Sequence, residues 1–199
     1  MMRHNLILTS ALMSILMLAG CKSDPEKSDN AEGPAIVVVN EIPQFSEVSG
    51  TIGEGTMKSY LELLADNGDT LDIRYEEAFR GGSANPGDRV YITYQEDTLN
   101  QEYAAVVMIN LNQLERPWRQ FVDGEERTLH LKADGSIMTN NMRTDYKKWK
   151  MKDAALLMTY PLNSKEHTLK EVTDTFQITM LSADTLKIAH EGLETVFAH

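Results

Sequence analysis

The chain has 199 residues, and its 30 acidic side chains outnumber its 19 basic ones to give a net charge of −11. A surface of this charge repels phosphates, so we expect neither nucleic-acid binding nor electrostatic adhesion to anionic lipid headgroups. The sequence contains one cysteine, which excludes an internal disulfide bond and a zinc site built on paired cysteines.

The first 21 residues have the pattern of an export signal. Arg3 precedes an apolar run over residues 6–18, and the run ends in Leu18-Ala19-Gly20-Cys21. This run is shorter than the ~20 apolar residues of a membrane-spanning helix. The segment resembles a bacterial lipoprotein signal, which implies removal of residues 1–20 and acylation of Cys21. We therefore expect a lipid-anchored protein of the cell envelope, at the outer membrane, on either its surface or its periplasmic face.

The next two segments differ sharply in composition. Residues 21–34 are polar and rich in proline and glycine, which is typical of a flexible tether. Residues 35–113 alternate apolar and polar side chains in short runs, and Asn67-Gly68-Asp69 is a strong hairpin signal between two of them. About five short strands fit between residues 47 and 112, which suits a small β-barrel of the OB or SH3-like kind.

Residues 114–199 contain three successive hairpin patterns. In each of them two strand-like runs flank a short turn, and the turns lie at residues 133–135, 152–153 and 182–184. Such a series predicts an antiparallel meander, so the predicted fold class is all-β with two small antiparallel barrels or curled sheets. Because residues 118–199 must supply every strand of the second one, we expect strands of roughly 5 to 7 residues and no deep cavity.

The second half also resembles a known family. Residues 129–136, 146–151 and 181–186 hold an Asp-Gly hairpin, a tryptophan strand and an Asp-Thr-Leu strand in that order. They are similar to the lipocalin-like, or calycin-like, lipoproteins of anaerobic gut bacteria. The resemblance implies a lipocalin-like β meander over residues 114–199, fused to a small N-terminal β-barrel module.

Four aromatic residues of the second half are candidate ligand contacts. Trp118, Phe121, Trp149 and Tyr160 could line a shallow apolar pocket, and the alternative is that they form the core. The histidines lack a metal-binding spacing, and no nucleophile elbow or phosphate loop is present, so we expect no cofactor, no metal and no enzyme activity.

These observations predict a membrane-anchored, non-catalytic module that binds an envelope protein or a carbohydrate. Two alternatives stay open. One is a lipocalin-type carrier of a small apolar ligand, which requires an internal cavity. The other is a hydrolase, which requires convergent polar groups in a cleft.

Overall fold

The structure of the protein is a computed structural model that describes residues 45–97, 102–163 and 169–199. All of these residues belong to one of two compact units of the chain, Glu41–His199. The predicted signal peptide, its acylated Cys21 and the tether lie outside the described residues. The domain boundaries predicted from the sequence stay predictions.

The first six strands form a closed barrel with one added strand. They are β1 (Ser46–Ile52), β2 (Tyr60–Ala65), β3 (Thr70–Arg74), β4 (Phe79–Gly81), β5 (Arg89–Asp97) and β6 (Glu102–Asn110). Strand β1 pairs with β2 and β5, while β6 lies antiparallel to β5 and parallel to β3. Strands β1, β2, β3, β6 and β5 therefore close on themselves in the manner of a five-stranded Greek-key barrel of the OB kind, and β4 is added alongside β6.

A short helix, α1 (Leu111–Leu114), leads into an eight-stranded antiparallel sheet. Its strands are β7 (Pro117–Val122), β8 (Glu125–Leu131), β9 (Ile137–Asn140), β10 (Lys148–Lys152), β11 (Ala155–Asn163), β12 (Leu169–Leu181), β13 (Thr185–His190) and β14 (Leu193–Ala198). The order is β10-β11-β12-β13-β14-β7-β8-β9. Ser136 forms a bridge with Lys148 across the remaining gap, so the sheet is a nearly closed barrel. The all-β prediction of two small barrels is confirmed.

Two strands of the eight-stranded sheet are longer than expected, so the predicted upper limit on strand length is wrong. Strand β11 has 9 residues and β12 has 13, against the roughly 5 to 7 that we expected. The difference arises because three of the connections take only two residues each, Asp123-Gly124, Asp153-Ala154 and Glu191-Gly192, all with positive φ. Tight turns of this kind leave more of the chain for strands.

The barrels have separate hydrophobic cores, and one strand contributes to both. Met108 and Ile109 are consecutive residues of β6, and each has 0% of its surface exposed. Met108 packs in the core of the first barrel, while Ile109 packs in the core of the second. Tyr91 of β5 and the two buried leucines of α1 also belong to the second core. The outer face of β5 and β6 therefore completes the core of the eight-stranded sheet.

The inner face of the eight-stranded sheet is occupied by side chains. Trp118, Leu129, Leu156 and Leu186 are fully buried, and Phe197 is 1% exposed. A small barrel filled by its own side chains leaves no room for an enclosed ligand. The packing thus opposes the carrier alternative, which requires an internal cavity.

Candidate functional site

A cleft of about 390 Å³ lies where the first barrel meets the eight-stranded sheet. Strands β1 and β5 and the end of α1 line one side, and β10 and the β8–β9 turn line the other. The lining residues are Glu47, Val48, Ser49, Arg89, Tyr91, Leu111, Glu115, Ala133, Gly135, Trp149, Lys150 and Met151. The cleft is therefore built from segments far apart in the sequence.

A second cleft, of about 770 Å³, continues from the first over the outer face of β10, β11 and β12. Polar side chains and apolar surface both contribute to its lining, which is formed by Asp134, Gly135, Ser136, Lys148, Trp149, Lys150, Leu157, Thr159, Glu171 and Thr173. Gly135, Trp149 and Lys150 line both clefts. We call the two together the junction groove.

Trp149 lies in the shared part of the junction groove, and two hydrogen bonds hold it in place. Its indole Nε1 donates to the carbonyl of Lys132 at 2.8 Å, and its backbone N–H donates to the carbonyl of Gly135 at 2.8 Å. The side chain is half-buried against the core of the sheet. A side chain fixed in this way needs little reordering when a ligand binds.

The β8–β9 turn beside Trp149 is shaped by its own residues. Gly135 has φ of +80°, a left-handed conformation that favours glycine. The Asp134 carboxylate accepts hydrogen bonds from the hydroxyl of Ser136 at 2.6 Å and from its backbone N–H at 2.9 Å. These bonds lower the pKa of Asp134 below its ordinary value. The sequence Ala133-Asp134-Gly135-Ser136 thus fixes one wall of the junction groove.

The wall on the first barrel carries both signs of charge. Arg89 forms a two-point ion pair with Asp66, with N–O distances of 3.1 and 2.6 Å. Burial raises the pKa of Glu115, and the nearby positive charge of Arg89 opposes that shift. Glu47 accepts a hydrogen bond from the backbone N–H of Asp153 at 2.6 Å. Most of these charged groups therefore already have partners within the protein.

Tyr91 links the two barrels at the floor of the first cleft. It is 4% exposed, and its hydroxyl accepts a hydrogen bond from the backbone N–H of Ala154 at 3.3 Å. Burial raises the pKa of Tyr91 from 10.0 to about 12, although the bond from Ala154 acts in the opposite direction. The β10–β11 turn is thus held against the first barrel.

Strand β10 and the residue just before it carry four lysines in an otherwise acidic protein. Lys147 pairs with Asp145 at 2.5 Å, and Lys148 pairs with Glu171 at 2.8 Å. Lys150 and Lys152 form no ion pair with any residue that the structure describes. Of these two, only Lys150 lines the junction groove.

A further polar cluster lies on the inner face of the eight-stranded sheet, apart from the residues that line the junction groove. The Tyr146 hydroxyl donates to Asp174 at 2.6 Å, and the Tyr146 ring meets those of Tyr160 and Phe176 edge to face. Burial, followed by this bond, raises the pKa of Tyr146 above its ordinary range. His190 packs on Phe176 at the end of β13, and its Nδ1 lies 2.9 Å from the carbonyl of Thr175. His190 is therefore a hydrogen-bonded histidine at the edge of the core.

The four aromatic residues singled out in the sequence occupy different environments. Trp118 is fully buried, and its Nε1 donates to the carbonyl of Leu114 at 2.9 Å. Phe121 is 71% exposed, and Tyr160 is half-buried beside Tyr146. Trp149 is the member of the four that lines the junction groove. A role in ligand contact stays a prediction for all four.

The sequence did not single out the other groove residues. Lys150, Glu115 and the threonines of β11 and β12 are ordinary surface residues by composition. Pairing of β10, β11 and β12 brings Lys150 near the threonines. Glu115 follows α1 and lines the first cleft opposite Lys150. The alternation of lysines along β10 was the one available signal, since it places Lys148, Lys150 and Lys152 on a single outward face.

The described ranges contain neither a metal-binding cluster nor a membrane-spanning helix. Within residues 45–97, 102–163 and 169–199, no group of three or more histidine, cysteine, aspartate or glutamate side chains is placed to hold a metal ion. No helix in the same ranges is long and apolar enough to cross a membrane.

Comparison with known proteins addresses the family resemblance. Residues 112–199 match the family model described as lipocalin-like. A crystal structure of a lipocalin-like protein from Bacteroides thetaiotaomicron is similar to this chain at 26% identity, over 43% of this chain and 94% of that protein, with a TM-score of 0.36. No curated protein matches the chain.

The match to the family model confirms the predicted lipocalin-like family for residues 112–199. This class of fold indicates a binding-type function. That the first barrel is the small N-terminal module found fused to domains of this family stays a prediction.

Proposed function

We propose that the protein is a lipid-anchored, non-catalytic binding module of the cell envelope, and that its junction groove binds a carbohydrate. The observation that carries the proposal is the position of Trp149, which is fixed by two hydrogen bonds in the part shared by two contiguous clefts. Ligand sites are typically concave, of ~300–1,000 Å³, and combine an aromatic side chain with a few placed polar groups. The lipocalin-like class agrees with a binding role.

The chemistry of the lining suits a sugar. Hydroxyls of Ser49, Ser136, Thr159 and Thr173 and carboxylates of Glu47 and Glu115 are distributed along the junction groove. A saccharide presents many hydroxyls, which donate to carboxylates and both donate to and accept from side-chain hydroxyls. Its C–H faces are apolar and pack against an indole ring.

A binding role without catalysis is supported by the way the charged groups are engaged. Arg89 is paired with Asp66, Lys148 with Glu171, and Glu47 accepts the backbone N–H of Asp153. A general acid and base need two titratable groups that converge on one reacting atom. Arg89, Lys148 and Glu47 are instead each tied to a separate partner.

The binding site is tested with a glycan array and two pairs of variants. Trp149→Ala should abolish carbohydrate binding, while Phe121→Ala, which removes an exposed aromatic ring outside the junction groove, should retain it. Thr173→Trp should also abolish binding, because it fills the second cleft from an exposed position on β12. Gln177→Trp lies on the same face of the same strand outside the lining, so it is the matched control.

The two tryptophans provide an independent readout. Trp118 is fully buried and reports on folding, whereas Trp149 lines the junction groove and should change its fluorescence when ligand binds. Binding that Thr173→Trp does not affect would contradict the proposed site. Capture of an envelope protein by the groove, with no glycan bound, would replace the carbohydrate with a protein partner.

The anchor is tested separately on the full chain. The wild type should label with radioactive palmitate and fractionate with membranes, and Cys21→Ala should lose both properties. Export without acylation of Cys21 would overturn the proposed attachment. The proposed binding site would be unaffected, because it is tested by the glycan array.

A further inference from the structure

The lysines of β10 suggest the charge of the ligand. The protein carries a net charge of −11, yet residues 147–152 include four lysines. Asp145 and Glu171 pair with the first two, and Lys152 lies outside the lining of both clefts. Lys150 is thus a groove cation that forms no ion pair with any described residue.

From this arrangement, and resting on the proposed function, we infer that the junction groove binds a saccharide bearing a carboxylate, and that Lys150 pairs with that carboxylate. An ammonium group that faces a ligand without an internal partner forms a charge-assisted hydrogen bond at no cost in broken ion pairs. Trp149, the neighbouring residue of β10, lines the same two clefts as Lys150.

The other charges of the junction groove leave one place for that carboxylate. Each cleft is lined by two carboxylates, Glu47 and Glu115 in the first and Asp134 and Glu171 in the second. They would repel a ligand carboxylate placed away from Lys150. Lys148 is already paired with Glu171. The acidic unit therefore belongs at Lys150, which lines both clefts, and neutral, hydroxyl-bearing units suit the rest of the junction groove.

An acidic peptide would find fewer free backbone hydrogen-bonding groups along β10 than strand addition requires. Peptides commonly add to the free edge of a sheet through backbone hydrogen bonds. At the edge of β10, the N–H of Trp149 already donates to Gly135 at 2.8 Å, and the carbonyl of Lys147 already accepts from the N–H of Ile137 at 2.9 Å. The start of this edge is therefore already engaged within the protein, which favours a saccharide over a peptide added along β10.

The inference is tested by calorimetric titration of the full chain with tetragalacturonate, with tetramannuronate, and with the methyl ester of each. The ester keeps every hydroxyl and removes the charge. Wild type should bind at least one acid about 10-fold or more tightly than its ester, since a hydrogen bond to a charged group is roughly twice as strong as one between neutral groups. In Lys150→Gln the ratio of the dissociation constant of the ester to that of the acid should fall close to one.

Lys152→Gln is the matched control, because it removes the same charge from the same face of β10 outside the junction groove. It should keep the acid preference of the wild type. Both variants change an exposed side chain, so their unfolding midpoints should match that of the wild type. Equal loss in the two variants would mean that the net charge, and not Lys150, sets the preference.

The possible failures can be told apart. Equal binding of acid and ester, or binding of neutral glycans alone, would overturn this inference and leave the proposed carbohydrate site standing. Tighter binding of hexaglutamate than of either uronate would show that the ligand is an acidic peptide. Absence of binding to every saccharide on the array would overturn the proposed function as well.

Discussion

The two barrels depend on each other unequally. The core of the first barrel is built from residues of β1, β2, β3, β5 and β6 and the segments that connect them. The core of the eight-stranded sheet includes Tyr91, Ile109, Leu111 and Leu114, all of which precede its first strand. The first barrel therefore supplies its own interior, whereas the second is completed by its neighbour.

Trp118 provides the strongest test of this dependence. It is fully buried, and its indole bonds to the last residue of α1, so it joins the second core to the segment between the barrels. Trp118→Ala should lower the free energy of unfolding by about 3–5 kcal/mol, because it removes a large side chain and leaves a cavity. Urea denaturation followed by circular dichroism measures the change.

The control for Trp118 lies on the same strand. Phe121→Ala removes an aromatic ring that is 71% exposed, and it should change stability by no more than about 0.5 kcal/mol. If both variants lost similar free energy of unfolding, burial of Trp118 would not explain the cost of its removal.

Met108 and Ile109 separate the two cores most directly. Each Ala substitution should cost about 2–5 kcal/mol, since both side chains are fully buried. Hydrogen exchange should show the loss in different places: Met108→Ala in strands β1 to β3, and Ile109→Ala in the eight-stranded sheet. Identical exchange patterns would mean that the two cores unfold as one unit, and the comparison would fail.

Two tyrosines of the second core predict a loss of stability at high pH. The pKa of Tyr91 rises from 10.0 to about 12 on burial, and that of Tyr146 rises as well. The protonated form is favoured by folding, so this stabilisation is complete below pH 10 and is lost as the pH rises towards 12. Tyr91→Phe should cost about 1 kcal/mol at pH 7 through its lost hydrogen bond.

The measurement is the urea midpoint at several values between pH 9 and pH 11. It should fall with pH in the wild type, and it should fall less steeply in Tyr91→Phe and in Tyr146→Phe. An unchanged slope in both variants would contradict the assignment of the alkaline loss to the second core.

The hairpin turns give the smallest expected effect. In the first barrel the β2–β3 turn has Gly68 at φ +94°, whereas the β10–β11 turn has Ala154 at φ +60°. Ala154→Gly should raise stability by about 0.5 kcal/mol, because relief of the left-handed strain exceeds the entropy that glycine adds to the unfolded chain. Gly68→Ala should act in the opposite direction, and thermal unfolding compares the two.

Much of the fold could be predicted from local signals. Asn67-Gly68 joins β2 to β3 as expected, and the three predicted hairpins of the second half are β8–β9, β10–β11 and β12–β13. These elements follow from alternation and turn chemistry, which act over a few residues. The parallel contact of β3 with β6 has no such local signal.

The candidate site was harder to predict from the sequence, because it also depends on contacts between distant segments. Trp118 and Phe121 are three residues apart, so they share a face in a helix but lie on opposite faces of a strand. Helix α1 ends at Leu114, and both residues lie in the strand β7 that follows it. Their different exposure therefore depends on where the helix ends. The junction groove joins Glu47 to Lys150, a pairing that no local pattern encodes.

The position of β6 between two interiors restricts how this protein can be altered. Most strands of a small barrel tolerate polar residues at every second position, because one side faces water. From Val107 to Asn110 β6 has no such side: Val107 and Ile109 pack in the second core, Met108 packs in the first, and Asn110 is buried and bonded to Ser83. Anyone who grafts the lipocalin-like half onto another protein would therefore need to transplant this strand with it.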